Sequence, residues 1–422
     1  MIKIKNHFNK KVVITGMGAI TPIGNNIKEY WYSLINGISG SSPISYFNTE
    51  DFKTKFACQI KNYDPDNFFS IKEKKKLDPC AQYGLIACEE AIFDSGLILK
   101  KEKKDRIGVV WGSGLGGISN FENEVFNYVI NKKKPRFNTF FIPKILIDTI
   151  GGLISIKYGI LGPNYSTVSS CASSANAIID AYYLICLDKA DIIITGGSEA
   201  AITQTVIGGF NALNALSTKN FNYKTASRPF ERDRDGFVLG EGSGCIILEE
   251  YNHAVSRGTK IYAEIGGVGM SSDAYHITSP DPNGLGIIQA MNLAIKSAKI
   301  SKSKIDYINT HGTSTIRGDI TEIKAIKKVF GEKIYNINIS STKSMTGHLL
   351  GASGVIESIA SILTMNYNII PPTINHNNYD SRIDIKVNLT LNKAQKKNVL
   401  ISISNTFGFG GHNISILYKK IY

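Results

Sequence analysis

Short runs of β-branched residues recur along the chain, and most of them end in glycine-rich or small-residue segments. Such runs are typical of strands that are buried on both faces of a sheet. Segments with helical spacing lie between them, the clearest at residues 172–187 and 347–365. This alternation predicts an α/β protein with helices on the faces of its sheets. The predicted strands are residues 12–15, 107–111, 165–168, 192–195, 305–309, 337–340 and 399–404.

The length of the chain and its glycine content indicate two domain-sized halves. At 422 residues the chain is longer than one ordinary domain. Its 39 glycines against 12 prolines indicate many tight turns between strands and helices. Residues 249–260 read as the end of one half, and residues 261–268 as a strand that ends in glycines, as residues 12–18 do. We therefore expect the halves to be residues 1–258 and 259–422.

Charge and cysteine content restrict the partners and the compartment. A net charge of +13 fits nucleic acid, an anionic membrane or an acidic protein, and a solvated lysine-rich surface explains it equally well. The sequence contains no nucleic-acid motif and no run of the roughly 18 apolar residues that a membrane-spanning helix needs. The six cysteines show neither zinc spacing nor a disulfide framework. We expect a cytoplasmic protein that binds neither nucleic acid nor membrane; a plastid-type organelle protein whose transit peptide is absent from this chain stays open.

The segment Gly112-Ser113-Gly114-Leu115-Gly116-Gly117 formally matches the dinucleotide-binding pattern G-x-G-x-x-G. In that pattern the glycines open a helix, and an acidic residue ends a second strand about 20 positions later. Here a lysine cluster follows instead. We therefore interpret the segment as a tight structural turn that lines another kind of pocket.

Cys171 lies within the segment Ser169-Ser170-Cys171-Ala172-Ser173-Ser174, where a predicted strand ends and a predicted helix begins. Unpaired backbone N–H groups and the positive end of the helix dipole stabilise a thiolate, so this location predicts a cysteine pKa below the free value of about 8.5. A lower pKa would increase the fraction of thiolate, the form in which a cysteine acts as a nucleophile. A small residue packed at a turn explains the motif equally well.

Two histidines follow two further predicted strands. His311 opens the segment His311-Gly312-Thr313-Ser314-Thr315, and His348 closes the polar segment that begins at Ser340 and contains Lys343. Helix starts favour the neutral imidazole over the imidazolium. By spacing the two histidines and Cys171 make a poor metal site. They suit the donation of hydrogen bonds to a developing oxyanion or enolate.

A glycine-rich segment with two phenylalanines joins the last two predicted strands. It runs Asn405-Thr406-Phe407-Gly408-Phe409-Gly410-Gly411-His412-Asn413. The segment reads as a hairpin turn. Aromatic side chains on such a flexible loop could also gate an apolar tunnel, while a loop N–H supplies an oxyanion donor.

The combination of these segments resembles the β-ketoacyl-[acyl-carrier-protein] synthases. The resemblance extends from Val12-Val13-Ile14-Thr15-Gly16 to the last strand, and so covers nearly the whole chain. It implies the thiolase-like fold: two duplicated α/β halves that form a five-layer αβαβα stack. The motifs that carry it are Cys171, His311 to Thr315, Lys343, Thr346-Gly347-His348-Leu349-Leu350-Gly351-Ala352, Phe407 to Gly411, and Arg228-Pro229-Phe230 with the segment from Arg234 to Gly242.

The resemblance also implies a reaction and roles for single residues. Cys171 would take an acyl group from an acyl-carrier-protein thioester, with the backbone N–H groups of Cys171 and Phe409 as oxyanion donors. His311 and His348 would stabilise the enolate formed when malonyl carrier protein loses carbon dioxide. The remaining roles fall to Lys343 and Glu357 as supporting residues, to Thr313 and Thr315 as ligands of the phosphopantetheine arm, and to Leu115 and Phe407 beside the acyl chain. No metal or organic cofactor would be needed.

The partners implied are acyl carrier protein and a second copy of the chain in a homodimer. Because carrier proteins are acidic, four basic residues are docking candidates, namely Lys74, Lys75, Lys76 and Arg136. Phe137 and Asn214 depart from the family, since bacterial relatives often have basic residues at these positions. The docking surface could therefore differ.

Several activities share this architecture. Leu349 and Leu350 after His348, together with residues 208–218, look more like the type II synthase of fatty-acid elongation than the type I enzyme. A polyketide ketosynthase keeps the same catalytic residues and stays open as an alternative. A thiolase usually has a second cysteine as its base, and the segment 407–411 carries none. A non-catalytic chain-length-factor-like subunit would normally lack the nucleophile.

Overall fold

The computed structural model describes residues 10–421. Its first half alternates strands and helices, as the sequence predicts. The elements of this half are β1 (Val12–Ile20), α1 (Ile27–Ile35), β2 (Ser42–Pro43), β3 (Phe56–Ala57), α2 (Ile71–Lys74), α3 (Pro79–Ser95), β4 (Ile107–Gly112), α4 (Ile118–Ile130), α5 (Phe141–Ile145), α6 (Thr149–Tyr158), β5 (Asn164–Thr167), α7 (Ser173–Cys186), β6 (Ile192–Glu199), α8 (Gln204–Ala212), β7 (Gly242–Glu250) and α9 (Tyr251–Ser256).

The second half repeats the alternation with fewer insertions. The elements of this half are β8 (Ala263–Ser272), α10 (Leu285–Ser297), β9 (Tyr307–Asn309), α11 (Ile316–Phe330), β10 (Asn338–Ser340), α12 (Lys343–Thr346), α13 (Ser353–Tyr367), β11 (Ile369–Ile370), β12 (Gln395–Lys396), β13 (Ile401–Gly408) and β14 (His412–Lys419).

The strand order shows the duplication that the resemblance implies. One half of the sheet has the order β5-β4-β6-β7-β1 and the other the order β10-β9-β13-β14-β8. In each half the inner strand β4 or β9 is parallel to both of its neighbours, and the remaining pairs are antiparallel. The two halves meet where β1 pairs with β8 at Val13↔Glu264 and Ile14↔Ala263. The same topology thus occurs twice in one chain.

Helices cover both halves and separate them, which gives the five layers. α3 and α6 pack on one face of the first half, and α10 and α11 on the outer face of the second. α7 and α13 lie between the halves and contact strands of both. The largest apolar cluster contains Ile178 and Ile179 of α7 with Ile356 and Ile359 of α13, all of them fully buried or nearly so. The burial of this central layer is the main apolar contact between the halves.

The seven predicted strands are confirmed, with bounds that shift by a few residues. One predicted helix is wrong at its start. The sequence predicts a helix over residues 347–365, but α13 begins at Ser353. Gly347 adopts a left-handed φ of 70° that ends α12, and Leu350 has a φ of 45°. Residues 347–352 therefore form an irregular segment that is free to present His348. None of the helices within residues 10–421 combines the length and the apolar content that a membrane crossing requires.

Candidate active site

Cys171 lies in a tight turn between β5 and α7. Ser170–Ala172 form a 3-10 turn, and α7 begins two residues after the cysteine. Ser170 has a left-handed φ of 54°, so the chain turns sharply before the helix. The Cys171 side chain is 8% exposed, and its Sγ lies 3.1 Å from Nε2 of His348. The sequence prediction of a cysteine at the junction of strand and helix is confirmed.

The predicted lowering of the Cys171 pKa is wrong. Burial raises the pKa of the Cys171 thiol to about 11, because the thiolate would lose its hydration in the apolar surroundings. The backbone N–H groups of Phe409 and Cys171 and the charge of Lys343 lower the pKa, but less than burial raises it. The resting group is therefore a neutral thiol, which must give up its proton when it reacts.

The two histidines meet beside this thiol. The rings of His311 and His348 stand edge to face, with centroids 5.2 Å apart. Burial holds the pKa of both well below the usual value, and the charge of Lys343 lowers it further, so both rings are neutral at pH 7. Nδ1 of His348 lies 2.9 Å from Oγ of Ser353. Nδ1 of His348 thus has a hydrogen-bond partner, and its Nε2 faces the sulfur of Cys171.

Lys343 fixes the tautomer of His311. Its Nζ lies 3.3 Å from Nδ1 of His311 and also donates to Glu357. Because an ammonium can only donate, Nδ1 accepts, and the proton of the neutral ring lies on Nε2. Lys343 is 1% exposed and Glu357 2% exposed, so the ion pair is shielded from water. His311 is consequently a hydrogen-bond donor through Nε2.

Cys171, His311 and His348 carry donor atoms that lie within 4.8 Å of one another. Sulfur and imidazole nitrogen are donor types found at zinc sites. The three side chains lie closer together than their spacing in the sequence indicates. The sequence spacing alone is therefore a weak argument against a metal site. The ammonium of Lys343 beside His311 opposes a bound cation. A site that works without metal stays a prediction.

The loop between β13 and β14 lies directly on the turn of Cys171. A Cβ at Gly408 would lie 2.8 Å from the carbonyl oxygen of Ser169, so only glycine permits this approach. The approach aims the N–H of Phe409 at the cysteine sulfur. The Phe407 ring lies 5.9 Å from that of His311. The predicted hairpin is confirmed, with Asn405 to Gly408 inside β13.

A cavity of about 600 Å³ opens onto these groups. Its lining contains all of the predicted substrate-binding residues, namely Leu115, Thr313, Thr315 and Phe407, and it also contains Phe409. The hydroxyls of Thr313 and Thr315 lie 3.0 Å apart. Leu115 is 37% exposed, so its side chain can contact a ligand. The structure therefore brings Cys171, His311, His348, Phe409 and the predicted substrate-binding residues to one cavity. Lys343 lies outside the lining and contacts Nδ1 of His311.

The glycine-rich turn at Gly114 and Leu115 lines this cavity, as predicted, and its N–H groups are already bonded. The buried carboxylate of Glu199 accepts from Gly114 N at 2.8 Å, from Leu115 N at 3.0 Å and from Gly351 N at 3.0 Å. A pyrophosphate would need the same N–H groups. The contacts of Glu199 argue against dinucleotide binding here.

Four buried residues of the site were missed by the sequence analysis: Glu199, Asp319, Glu322 and Ser353. Glu322 accepts from the backbone N–H groups of His311 and Gly312 at 2.9 and 2.8 Å. Asp319 accepts from Ser314 N at 3.1 Å. Both acids lie on the buried face of α11. Carboxylates three residues apart on the apolar face of an amphipathic helix were the available signal.

The four predicted docking residues lie outside the cavity lining. Lys74 pairs with Asp66, and Nζ of Lys76 lies 5.4 Å from the centre of the Phe140 ring. Lys75 and Arg136 are exposed. Their role in docking stays a prediction.

The chain is similar over nearly its full length to condensing enzymes. Family models described as "Beta-ketoacyl synthase, N-terminal domain" and "Beta-ketoacyl synthase, C-terminal domain" match residues 9–254 and 262–377. The 3-oxoacyl-[acyl-carrier-protein] synthase 2 of Synechocystis sp. is 43% identical over 411 residues, which are 97% of this chain and 98% of that protein.

Two solved structures share the fold. A β-ketoacyl synthase from Burkholderia phymatum is 32% identical with a TM-score of 0.90, over 98% of this chain and 100% of that one. A type II polyketide ketosynthase, in complex with its acyl carrier protein and bound to the hexaketide, is 32% identical with a TM-score of 0.89, over the same shares of the two chains. With the two family models covering most of its length, the chain belongs to the β-ketoacyl synthase family.

Proposed function

We propose that this chain catalyses the decarboxylative condensation of an acyl group, held as a thioester on Cys171, with malonyl-acyl carrier protein. The products are 3-oxoacyl-acyl carrier protein, carbon dioxide and the free carrier of the first acyl group. The relative from Synechocystis named 3-oxoacyl-[acyl-carrier-protein] synthase 2 supports this reaction. The chain is then a type II acyltransferase of fatty-acid elongation.

One observation carries the proposal. A buried thiol lies 3.1 Å from the Nε2 of a neutral histidine, and a second neutral histidine stands against the first at the same cavity. Covalent catalysis needs such a nucleophile beside a group that takes its proton. Stabilisation of an enolate needs neutral donors aimed at the place where negative charge develops. Cys171, His348 and His311 supply both.

In the first step Cys171 Sγ attacks the carbonyl carbon of the acyl thioester. The thiol proton passes to Nε2 of His348 and then to the sulfur of the departing carrier. The C–S bond to the carrier breaks, and a C–S bond to Cys171 forms. The N–H groups of Cys171 and Phe409 donate to the oxyanion of the tetrahedral intermediate, since both already point at the sulfur.

In the second step the malonyl group loses carbon dioxide and leaves an enolate. Nε2–H of His311 donates to the enolate oxygen. His348 donates to it as well in the tautomer that carries the ring proton on Nε2, in which Nδ1 accepts from the Ser353 hydroxyl. The enolate carbon attacks the acyl carbonyl, the C–S bond to Cys171 breaks, and the thiolate takes a proton from solvent. Lys343 and Glu357 act as positioning residues, because Lys343 holds the proton of His311 on Nε2.

The cavity suits an acyl chain on a long polar arm. Thr313 and Thr315 would donate to the amides of the phosphopantetheine arm, and Leu115 and Phe407 would contact the acyl chain. Lys74, Lys75, Lys76 and Arg136 stay candidates for docking the carrier. We also propose that the chain divides into two halves, residues 1–258 and 259–422, and that the protein is cytoplasmic.

Related activities fit less well, with two exceptions. Among the described residues that line the cavity, Cys171 is the one cysteine, so a second cysteine base of the thiolase type is not placed there. The intact cysteine and histidines argue against a non-catalytic subunit. Polyketide condensation uses the same chemistry, and the similarity to the ketosynthase bound to the hexaketide keeps it as the second candidate. A type I synthase stays an alternative too.

The product assay separates these candidates. Incubated with a saturated acyl-acyl carrier protein and malonyl-acyl carrier protein, the chain is expected to release carbon dioxide and to give a 3-oxoacyl product two carbons longer. Mass spectrometry of the carrier adducts detects both. Repeated condensation without reduction would favour the polyketide activity, and no product from either substrate would contradict the proposed function.

The high pKa of Cys171 gives a pH prediction. Because the thiol has a pKa of about 11, the thiolate fraction is small at neutral pH and rises tenfold per pH unit. We expect the rate of Cys171 alkylation by iodoacetamide to rise about tenfold per unit from pH 7 to 10. Intact-mass measurements over time give the rate. A plateau near pH 8.5 would show that the free-cysteine value persists.

We also propose a homodimer that pairs β5 with its copy. β5 is an end strand of the ten-stranded sheet, so its outer backbone groups are available for pairing. Apolar side chains around it are exposed, among them Ile156 at 82%, Leu161 at 75% and Val168 at 59%. An apolar surface beside an open strand edge favours association with a second copy.

Sedimentation measures this directly. The wild-type chain is expected at twice its mass of 46.2 kDa. A Leu161→Glu, Val168→Glu double variant is expected at the mass of one chain, because the new carboxylates would be buried without partners. Phe221→Glu, at a fully exposed phenylalanine, is the control and is expected to stay dimeric. A wild-type chain that sediments as a monomer would overturn the dimer.

A further inference from the structure

A buried carboxylate beside the cavity has no part in the two catalytic steps. Glu199 is the last residue of β6, and its side chain is fully buried. Within residues 10–421 its hydrogen-bond partners are three backbone N–H groups and the hydroxyl of Ser113, none of which is a cation. Burial of a carboxylate without a cation opposes folding. A group that is kept in spite of this effect points to a function.

Activation of the nucleophile is not that function. The negative charge of Glu199 raises the pKa of the Cys171 thiol, and so disfavours the thiolate. Each oxygen of the carboxylate already accepts two hydrogen bonds from the protein. A carboxylate that is engaged in this way is suited to holding backbone groups in place, and poorly suited to taking a proton from a substrate.

The two oxygens of Glu199 connect the two halves of the chain. Oε2 accepts from Gly114 N at 2.8 Å and from Gly351 N at 3.0 Å. Gly114 belongs to the turn after β4 in the first half, and Gly351 to the segment between α12 and α13 in the second. Oε1 accepts from Leu115 N at 3.0 Å and from Ser113 Oγ at 3.2 Å. One oxygen atom thus bridges a turn of each half.

Glycine at both ends of this bridge makes room for it. A Cβ at Gly351 would lie 2.4 Å from Gly114 N and 2.7 Å from Oε2 of Glu199. A Cβ at Gly114 would lie 3.0 Å from the same oxygen. A side chain at position 351 would therefore push the two segments apart. The close approach of the segments and the carboxylate between them depend on each other.

The two bridged segments carry parts of the reaction site. Leu115 lines the cavity on the first segment, and Leu350, next to Gly351, lines it on the second. His348 belongs to the second segment too, and its Nε2 faces the sulfur of Cys171. The separation of the two segments therefore limits how an acyl chain on the cysteine fits. A displacement of about 1 Å at such a site can change a rate by about 10²-fold.

We propose that Glu199 is a positioning residue that sets the acyl-chain selectivity, because it holds the turn of Leu115 against the segment of Leu350 at the cavity. The inference deepens the proposed function and rests on it, since the chain must be bound to Cys171 as a thioester. Without the bridge the two segments no longer share an acceptor. A long acyl chain then loses more contacts than a short one, because it covers more of the cavity wall.

The test compares the rates at which butanoyl-acyl carrier protein and the longest saturated acyl-acyl carrier protein that the wild type accepts acylate Cys171. Glu199→Asp keeps the charge but is one methylene shorter, so its oxygen no longer reaches both backbone N–H groups. We expect this variant to lower the long-chain rate about tenfold more than the butanoyl rate. Intact mass over time gives both rates. Assays at pH 8 keep the wild-type carboxylate largely ionised, since burial raises the pKa of Glu199 to about 7.

Glu199→Gln separates the bridge from the charge. Its amide oxygen can replace Oε2 between Gly114 N and Gly351 N, while its NH2 group donates to the hydroxyl oxygen of Ser113. The opposite orientation would set the NH2 group against two N–H donors. We therefore expect Glu199→Gln to keep the ratio of the two rates within about threefold of the wild-type ratio.

The matched control is Glu90→Asp on α3. Glu90 also joins two segments, since it accepts from Ala19 N and from Ile27 N at 2.8 Å each, but it lies outside the cavity lining. This variant is expected to leave the ratio of rates unchanged. Ser113→Ala removes one donor to Glu199 and decides the question if thermal unfolding shows that Glu199→Asp does not fold. It is expected to shift the ratio in the same direction by about threefold.

Three results would overturn the proposal. The first is a wild-type ratio of rates in Glu199→Asp, or in Ser113→Ala where that variant decides. The second is an equal shift in Glu199→Asp and Glu199→Gln, because the bridge would then not be the cause. The third is an equal shift in Glu90→Asp. Failure of the wild-type chain to form any acyl-enzyme would instead contradict the proposed function.

Discussion

A Cys171→Ala variant is expected to form no acyl-enzyme and to lose condensation by about 10⁴-fold or more, the scale seen when a covalent nucleophile is removed. The thiol is the one cysteine among the described cavity-lining residues, and it lies 3.1 Å from Nε2 of His348. No neighbouring side chain can replace its sulfur. Intact-mass measurement after incubation with acyl-acyl carrier protein detects the adduct.

The matched control is Cys186→Ala on α7. Cys186 is another buried cysteine, it points to the carbonyl of Lys10 at 3.7 Å, and it lies outside the cavity lining. This variant is expected to keep acylation and turnover. A Cys171→Ser variant retains the shape of the side chain but has a weaker nucleophile, so it separates chemistry from packing. An acyl adduct on the Cys171→Ala protein would refute the assignment of the nucleophile.

The location of Cys171 could be predicted from the sequence because local signals define it. A β-branched run followed by small residues and a helical pattern identifies the junction of strand and helix, and the 3-10 turn at Ser170–Ala172 lies there. The same reasoning placed His311 and His348 after β9 and β10. Since strand ends gather at one edge of a sheet, three such predictions already indicate one site.

The pKa of Cys171 could not be predicted in the same way. The helix dipole is a local effect, and it can be read from the sequence. Burial comes from Ala201, Leu216 and Leu350 of the surrounding apolar cluster, which are distant in sequence. Their effect on the thiolate is the larger one. The duplication of the two halves could not be predicted from short sequence segments either. It consists of a repeated strand order and not of repeated residues.

Alanine at His311 or His348 is expected to separate the two half-reactions. Each variant should retain measurable acyl transfer to Cys171 but lose decarboxylation by about 10²- to 10³-fold, the usual cost of removing one oxyanion donor. The loss of acyl transfer is expected to be larger for His348→Ala, since His348 alone is placed 3.1 Å from the sulfur. Release of labelled carbon dioxide measures decarboxylation, and the intact mass measures acylation.

The control for both variants is His376→Ala. His376 is 7% exposed and burial lowers its pKa too, but it packs against Tyr379 and is not part of the cavity lining. A similar loss of decarboxylation in this variant would mean that removal of any buried histidine disturbs the protein. Lys343→Met should resemble His311→Ala, because without the ammonium the proton of His311 is no longer held on Nε2. Undiminished condensation in His311→Ala would exclude its role as enolate donor, and would leave His348 and the backbone N–H groups to stabilise the charge.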